Sequence, residues 1–198
     1  MSATFLSPVN MAEIIQLRIS LIDSNPLIWR QVLISKSTTF FKLHQIIQIA
    51  MGWKSSHLFE FNLEGYRIGI IDEQEPGYGN SKVIDAKKST LKDLISHEGE
   101  TFKYLYDFGD NWQHVVEVEK FIDKEPDSSY PVCIYGALNC PPEDCGGIHS
   151  FYNLMKILGN KKHPDYIETV HWIGKNYNPG VFDKDKVNRG LKKMQSSR

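Results

Sequence analysis

Two groups of polar residues hold the side chains in this sequence that could do chemistry. The first is the stretch 106–114, which places Asp107, Asp110 and His114 among aromatic residues around Gly109. A histidine beside carboxylates is typical of general acid–base sites and of metal sites whose histidine is oriented by an acid. Residues 106–114 are therefore the first candidate site.

A second group follows, in which four residues separate Cys140 from Cys145 and His149 comes four positions later. Thiolates and imidazole are ligands that zinc accepts in structural sites. The spacing lacks a Cys-x-x-Cys pair, however, and two consecutive prolines stiffen the loop between the cysteines. Three interpretations stay open: a zinc site, a redox pair, or a rigid loop whose cysteines are small buried residues.

Acidic residues in the second group offer a further possibility, because Glu143 and Asp144 could bind a cation together with an acid of the first group. Arg30 and His57 are polar residues in predicted strands, and clefts usually lie where polar side chains gather at strand ends. We predict one cleft edged by Arg30, His57, Asp107, Asp110, His114, Glu143 and Asp144.

Hydrophobic periodicity predicts the elements that must position these residues. Period-two alternation is typical of half-buried strands, and recurrence at three and four residues is typical of amphipathic helices. The first predicted elements are strands at 13–23 and 28–34, a helix capped at 37–39 and ended by Gly52, and strands at 57–63 and 66–71.

Residues 72–89 are polar and contain glycine and proline, which predicts an exposed loop. A short Thr-capped helix and a second hairpin follow, so the order helix, strand, turn, strand at 38–71 recurs at 89–121. A sheet built from such units, with its helices on one face, is an α+β arrangement.

The register of the second hairpin decides which way its polar residues face. Even-numbered positions in both strands are mostly apolar or aromatic. A three-residue loop at 109–111 keeps this row together, with Tyr106 opposite His114 and Phe108 on the same side, whereas a two-residue loop would set the row beside glutamates. We predict that His114 faces the core near the Tyr106 hydroxyl and that Asp107 faces away.

Three helices are predicted after Cys145. Their apolar stripes are Phe151, Leu154, Met155 and Leu158, then Tyr166, Val170 and Ile173, then Val187, Leu191 and Met194. The other side of the last helix carries Lys184, Lys186, Arg189, Lys192 and Lys193. This basic side is either a solvated helix face or a surface for nucleic acid.

The composition of the whole chain narrows the classes of protein. A net charge of −1 gives no overall attraction to nucleic acid or to an anionic membrane. No apolar run approaches the roughly 20 residues that cross a bilayer, and the N-terminus lacks the features of a signal peptide. Three cysteines make a poor disulfide framework. We expect a soluble cytoplasmic protein, with zinc as the one metal its cysteines suggest.

Five motifs together resemble the plasmid pRiA4b ORF-3-like family, over roughly residues 13–193. They are PLIWR at 26–30, LHQIIQ at 43–48 with MGW at 51–53, SHLFEF at 56–61, YDFGDNWQH at 106–114 and CPPEDCGG at 140–147. The resemblance implies an α+β domain without an established activity. Cys133 and His149 lie outside these motifs, which counts against a metal site with four ligands from this region.

We predict an α+β fold with a mixed, largely antiparallel sheet built from hairpins, helices packed on one face, and a helical C-terminal part. Residues 1–12 are expected to form a flexible tail and residues 13–198 a single domain. Within it, 13–136 form the sheet and 137–198 the Cys/Pro loop and the last helices.

Three functional hypotheses follow from these residues. The leading one is a binding or interaction module whose ligand lies in the predicted cleft. The second is a hydrolase, with or without a metal, in which His57 or His114 acts as base beside Asp107 or Asp110. The third is a nucleic-acid-associated protein of mobile elements, which the net charge does not favour.

Overall fold

The computed structural model of the protein describes residues 13–71 and 83–196. The predicted tail at 1–12 lies outside these residues, as does the 72–82 part of the predicted loop. The elements in chain order are β1 (Ile14–Leu21), β2 (Trp29–Ser35), α1 (Phe40–Met51), β3 (Phe59–Leu63), β4 (Tyr66–Gly69), β5 (Val83–Asp85), α2 (Leu91–Leu94), β6 (Thr101–Tyr106), β7 (Trp112–Ile122), β8 (Val132–Ala137), α3 (Gly147–Gly159), α4 (Tyr166–Ile173) and α5 (Lys184–Ser196).

The strands of the described residues form one sheet in the order β5-β4-β3-β6-β7-β1-β2-β8. Neighbouring strands are antiparallel except β4 and β5, which run parallel. This arrangement confirms the predicted α+β class with a mixed, largely antiparallel sheet built from hairpins.

The sequence pattern does not predict the two strands at the edges of this sheet. Strand β5 has three residues and falls within the stretch predicted as an exposed loop. Strand β8 lies at the opposite edge and pairs with β2. Edge strands of this kind depend on the strand beside them more than on their own alternation, so periodicity alone does not identify them.

One face of the sheet carries the hydrophobic core. In β1, Ile15, Leu17 and Ile19 are fully buried, while Gln16 and Arg18 at the alternate positions face the other side. Helix α1 contributes its apolar stripe to this core and contacts α5, which also contacts β8. The predicted packing of helices on one face is therefore confirmed.

The caps of the first two helices join the two predicted units. Thr39 caps α1, which ends at Gly52 with a φ of 92° in the left-handed region. Thr90 precedes α2, and its amide and hydroxyl both donate to the Asp93 carboxylate. Thr39 and Thr90 also pair in an antiparallel bridge. Because the caps meet there, both helices begin at the same place beside the sheet.

The β6–β7 hairpin has a longer loop than the register argument predicts. Tyr106 lies opposite Trp112, and Tyr104 lies opposite His114. The connection therefore runs over five residues, 107–111, instead of three. His114 faces the core as predicted. The strand residue beside it is Tyr104, with ring centroids 5.3 Å apart, where the prediction placed Tyr106.

The longer loop reverses the predicted positions of two side chains. Asp107 adopts a φ of 56°, which ends the strand and turns its carboxyl group inward, and the residue is only 7% exposed. Phe108 is 52% exposed and does not join the core. The prediction that Asp107 faces away and Phe108 faces the core is thus wrong in both parts.

The three predicted C-terminal helices are all present, and they differ in how they pack. Helix α5 buries Val187 and Leu191 from its predicted stripe. Helix α4 buries Thr169 alone, so its predicted stripe does not reach the core. None of the helices in the described part of the chain is long and apolar enough to cross a membrane.

Candidate functional site

Three loops meet at the end of the sheet where β3 begins and β6 ends: 53–58, 107–111 and 140–147. The Tyr106 hydroxyl connects them. It accepts a hydrogen bond from the Ser56 amide at 3.1 Å and donates one to the Glu143 carboxylate. Burial and the nearby Glu143 carboxylate raise the pKa of Tyr106, so the phenol keeps the proton that it donates.

The 140–147 loop is joined to the 107–111 loop by a hydrogen bond and a close backbone approach. A second hydrogen bond joins it to the 53–58 loop. Asp110 Oδ2 accepts a hydrogen bond of 3.0 Å from the Gly146 amide. At Gly147, which has a φ of 81°, an added Cβ would lie 2.6 Å from the Asp110 carbonyl oxygen. Trp53 Nε1 donates to the Pro141 carbonyl at 3.0 Å. The absence of a side chain at Gly147 therefore permits the close approach of the 107–111 and 140–147 loops.

His57, Asp107 and Asp144 form the centre of this site, one from each loop. His57 Nε2 lies 2.8 Å from Asp144 Oδ1 and 3.6 Å from Asp107 Oδ2. Among the described residues, these three are the one group of His, Cys, Asp or Glu whose ligand atoms all lie within 4.8 Å of one another. Ligand atoms that share one zinc ion in tetrahedral geometry lie about 3.4 Å apart, which falls in this range.

Asp107 is held in position before any ligand arrives. Its side chain is 10% exposed, and its Oδ1 accepts hydrogen bonds from the amides of Gly109 at 2.9 Å and Asp110 at 3.3 Å. Its own amide donates to the Leu58 carbonyl at 2.9 Å. These contacts leave Oδ2 facing His57 at a distance too long for a hydrogen bond.

The site carries an excess of negative charge. Four carboxylates lie on its loops: Asp107, Asp110, Glu143 and Asp144. Among the ion pairs of residues 13–71 and 83–196, none joins these carboxylates to a lysine or arginine. Because no described lysine or arginine neutralises this group of acids, it attracts a cation from solution.

Arg30 does not lie with His57, although the two are predicted in one cleft. It is 1% exposed, and its guanidinium donates to the carbonyls of Ala50, Trp29 and Ala137 at 2.8–2.9 Å. Its Nη2 lies 3.5 Å from Cys140 Sγ. Arg30 therefore holds the end of α1 against β2 and β8, which is a structural role.

His114 is also separated from the site by its burial. It is fully buried, and its Nδ1 lies 3.3 Å from the Tyr104 carbonyl oxygen, while the Trp53 ring packs edge-on against it. Desolvation by burial lowers the pKa of His114 to about 4. A neutral histidine without access to solvent does not serve as the base of an open cleft.

The cysteine segment does not gather the predicted zinc ligands. Cys140 Sγ lies 3.0 Å from Met51 Sδ in the core, and His149 is exposed near the start of α3. Burial raises the pKa of Cys140 to about 11 and, with the charges of nearby acids, that of Cys145 to about 12. Among the described residues, the ligand atoms of Cys140, Cys145 and His149 do not form a group within 4.8 Å. The segment contributes Glu143 and Asp144 to the site instead.

His44, which the sequence argument does not single out, belongs to a buried network behind the site. His44 Nδ1 lies 2.8 Å from the Tyr104 hydroxyl, and this hydroxyl accepts a hydrogen bond of 3.0 Å from Gln48 Nε2. The four-residue spacing of His44 and Gln48 on α1 is the signal for this pair. The Gln48 side-chain oxygen accepts from the Ser55 amide at 2.8 Å, so the network supports the first loop.

Known proteins resemble this chain over the whole of the site. A model of the family described as plasmid pRiA4b ORF-3-like protein matches residues 13–186. The uncharacterized protein y4hQ of Sinorhizobium fredii is 30% identical over 183 residues, which cover 91% of this chain and 92% of that protein. The crystal structure of MM3350, a protein of unknown function from Methanosarcina mazei Go1, matches with a TM-score of 0.78 and 31% identity, over 87% of this chain and 96% of that one.

Proposed function

The chain belongs to the plasmid pRiA4b ORF-3-like family, and we propose that it is a binding module whose ligand is a divalent cation held by His57, Asp107 and Asp144. The observation that carries this proposal is the convergence of one imidazole and two carboxylates, with Asp107 fixed by two backbone amides. The hydrogen bonds that orient Asp107 correspond to the outer contacts that orient the ligands of known metal sites.

The charge of the three ligands suits a divalent ion. Two carboxylates and a neutral imidazole supply a charge of −2, which a divalent ion neutralises. Imidazole favours zinc and other transition metals, whereas purely oxygen-based sites favour magnesium and calcium. We therefore propose Zn²⁺ or Mn²⁺ as the ion. The Asp144 side chain is 67% exposed, so the remaining coordination positions would face solvent.

A hydrolase is the second candidate function, supported by the number of ligands. Catalytic zinc sites use three protein ligands and keep one position for water, which the metal activates as a nucleophile. The same three residues would then hold the reactive water, and His57 would serve as a ligand and not as a free base. This candidate predicts metal-dependent hydrolysis of an ester or phosphoester, which simple binding does not.

We propose the cytoplasm as the compartment. All three cysteines are free thiols, as expected where disulfides are kept reduced. Nucleic acid is not the partner we propose, because the candidate site is acidic and the net charge of the chain is −1.

The test is a calorimetric titration of untagged, chelator-treated protein with ZnCl2 and with MnCl2. We expect one site per chain, and at least about tenfold weaker binding in Asp107→Asn and in His57→Gln. The matched control is His163→Gln, because His163 Nδ1 lies 3.7 Å from Asp165 Oδ2 in a surface pair that no third ligand among the described residues joins. Equal loss in the control, or no binding by the unmodified protein, would contradict the proposal.

A further inference from the structure

Helices α3 and α4 face a cavity that the candidate cation site does not use. The cavity has a volume of about 800 Å³ and lies between these two helices, the turn of the β1–β2 hairpin and the loop that follows α4. Its volume falls within the range of small-molecule sites, roughly 300–1,000 Å³. None of His57, Asp107 and Asp144 lines it.

The apolar stripes of the two helices form the walls of this cavity. Phe151 and Met155 of α3 line one side, and Tyr166, Val170 and Ile173 of α4 line the other. Amphipathic helices ordinarily bury such stripes against a core. Here the α4 side chains remain only partly buried, because they border an open space. The stripes thus offer an apolar surface concave enough to surround a small ligand.

The rim of the cavity is polar, and none of the described residues that line it is an acid. Among its lining residues Lys175 is the one charged side chain, and four asparagines stand around it: Asn25, Asn139, Asn176 and Asn178. Asn139 Oδ1 accepts from the Cys140 amide at 3.1 Å, and Asn178 Oδ1 accepts from the Gly180 amide at 3.0 Å. Because these oxygens are occupied, the two side chains have N–H donors to offer to a ligand.

Because the walls of the cavity are apolar and its rim offers hydrogen-bond donors, we propose that it binds an organic carboxylate with an apolar chain or ring. The apolar part lies between α3 and α4, and the carboxylate meets Lys175 and the asparagine donors at the rim. A cationic head is disfavoured, because the rim supplies hydrogen-bond donors and one positive charge. The site is independent of the cation proposed for the three loops.

The test compares three probes of one chain length, octanoate, octanamide and octylamine, titrated calorimetrically into the full chain. Octanoate should bind with one site per chain, and octylamine at least about tenfold more weakly. Val170→Phe fills the cavity and should abolish binding of octanoate. Ile167→Phe is the matched control, since Ile167 lies on the same helix, is 81% exposed and does not line the cavity.

A rim variant keeps the proposal testable if Val170→Phe perturbs folding. Lys175 is exposed, and Lys175→Glu should weaken octanoate and favour octylamine without altering the apolar walls. Equal binding of all three probes, with no effect of Val170→Phe, would overturn the proposal in favour of non-specific hydrophobic binding. Absence of binding by any probe, with dimers in sedimentation that Val170→Phe disrupts, would identify the cavity as a contact between copies and also overturn it.

Discussion

The Tyr106 hydroxyl donates a hydrogen bond to Glu143 and accepts one from the Ser56 amide. The first contact joins the end of β6 to the loop before α3, and the second joins it to the loop before β3. The two contacted loops carry Asp144 and His57, and the loop that follows β6 carries Asp107. The motifs at 106–114 and 140–147 therefore meet in the fold, and each supplies one side of the contact between Tyr106 and Glu143.

Tyr106→Phe should weaken both the fold and the proposed cation site. The variant keeps the ring in the core but leaves the Ser56 amide and the Glu143 carboxylate without this partner, which costs about 1–3 kcal/mol of unfolding free energy. Urea denaturation measures that loss, and calorimetry measures the accompanying drop in zinc affinity. Tyr66→Phe is the control, because Tyr66 is 54% exposed. Unchanged stability of Tyr106→Phe would contradict the coupling of the loops.

The β6–β7 hairpin shows where prediction from the sequence succeeds and where it stops. Alternation places the faces of both strands correctly from Phe102 to Tyr106 and from Trp112 onward. Lengthening the loop by two residues preserves that alternation, so hydrophobicity cannot distinguish a loop of three residues from one of five. The deciding feature is the turn at Asp107, whose carboxylate accepts from the backbone amides that follow it.

The sequence predicts the residue types of the candidate site, but it does not distinguish the three residues at its centre from the other predicted cleft residues. His57, Asp107 and Asp144 are all predicted cleft residues, yet they come together because β3 pairs with β6 and the Gly146–Gly147 turn approaches Asp110. Such contacts join distant parts of the chain. Burial likewise removes Arg30 and His114 from the cleft, and burial depends on how α1 covers the sheet and not on local spacing.

Gly147→Ala should destabilise the contact between the second and third loops. An added Cβ would lie 2.6 Å from the Asp110 carbonyl oxygen, and the φ of 81° is itself unfavourable for alanine. We expect a loss of at least about 1 kcal/mol in unfolding free energy and weaker cation binding. Gly159→Ala is the matched control, because its Cβ meets nothing within 4 Å and no positive φ is found there. If the two variants were equally stable, the approach of the loops would not constrain this position.

Arg30→Lys should be strongly destabilising although the charge is kept. The buried guanidinium donates to three backbone carbonyls, and a lysine ammonium cannot reproduce that planar set of donors. Carbonyls left without partners cost about 1–3 kcal/mol each, so we expect a loss of roughly 2–4 kcal/mol in urea denaturation. Arg18→Lys is the control, because Arg18 is 31% exposed beside Glu119 and should change stability by less than about 1 kcal/mol.

Burial of two neutral histidines should make the protein less stable at mildly acidic pH. Desolvation lowers the pKa values of His44 and His114 from 6.5 to about 4. The unfolded chain therefore binds more protons than the folded chain between pH 6.5 and pH 4. Above this window the two histidines contribute a constant amount to the free energy of unfolding. As the pH falls through the window they lower it increasingly, by roughly 2 kcal/mol for each histidine between pH 7 and pH 5.

His114→Leu isolates one of these two contributions. Leucine fits the apolar surroundings of this side chain, and the substitution gives up the long contact of His114 Nδ1 with the Tyr104 carbonyl. Urea denaturation at pH 7 and at pH 5, in the presence of a chelator, should therefore show a drop in stability that is roughly 2 kcal/mol smaller than in the unmodified protein. A full-sized drop in His114→Leu would mean that His114 titrates alike in the folded and unfolded chains, which its burial against Trp53 and Tyr104 opposes.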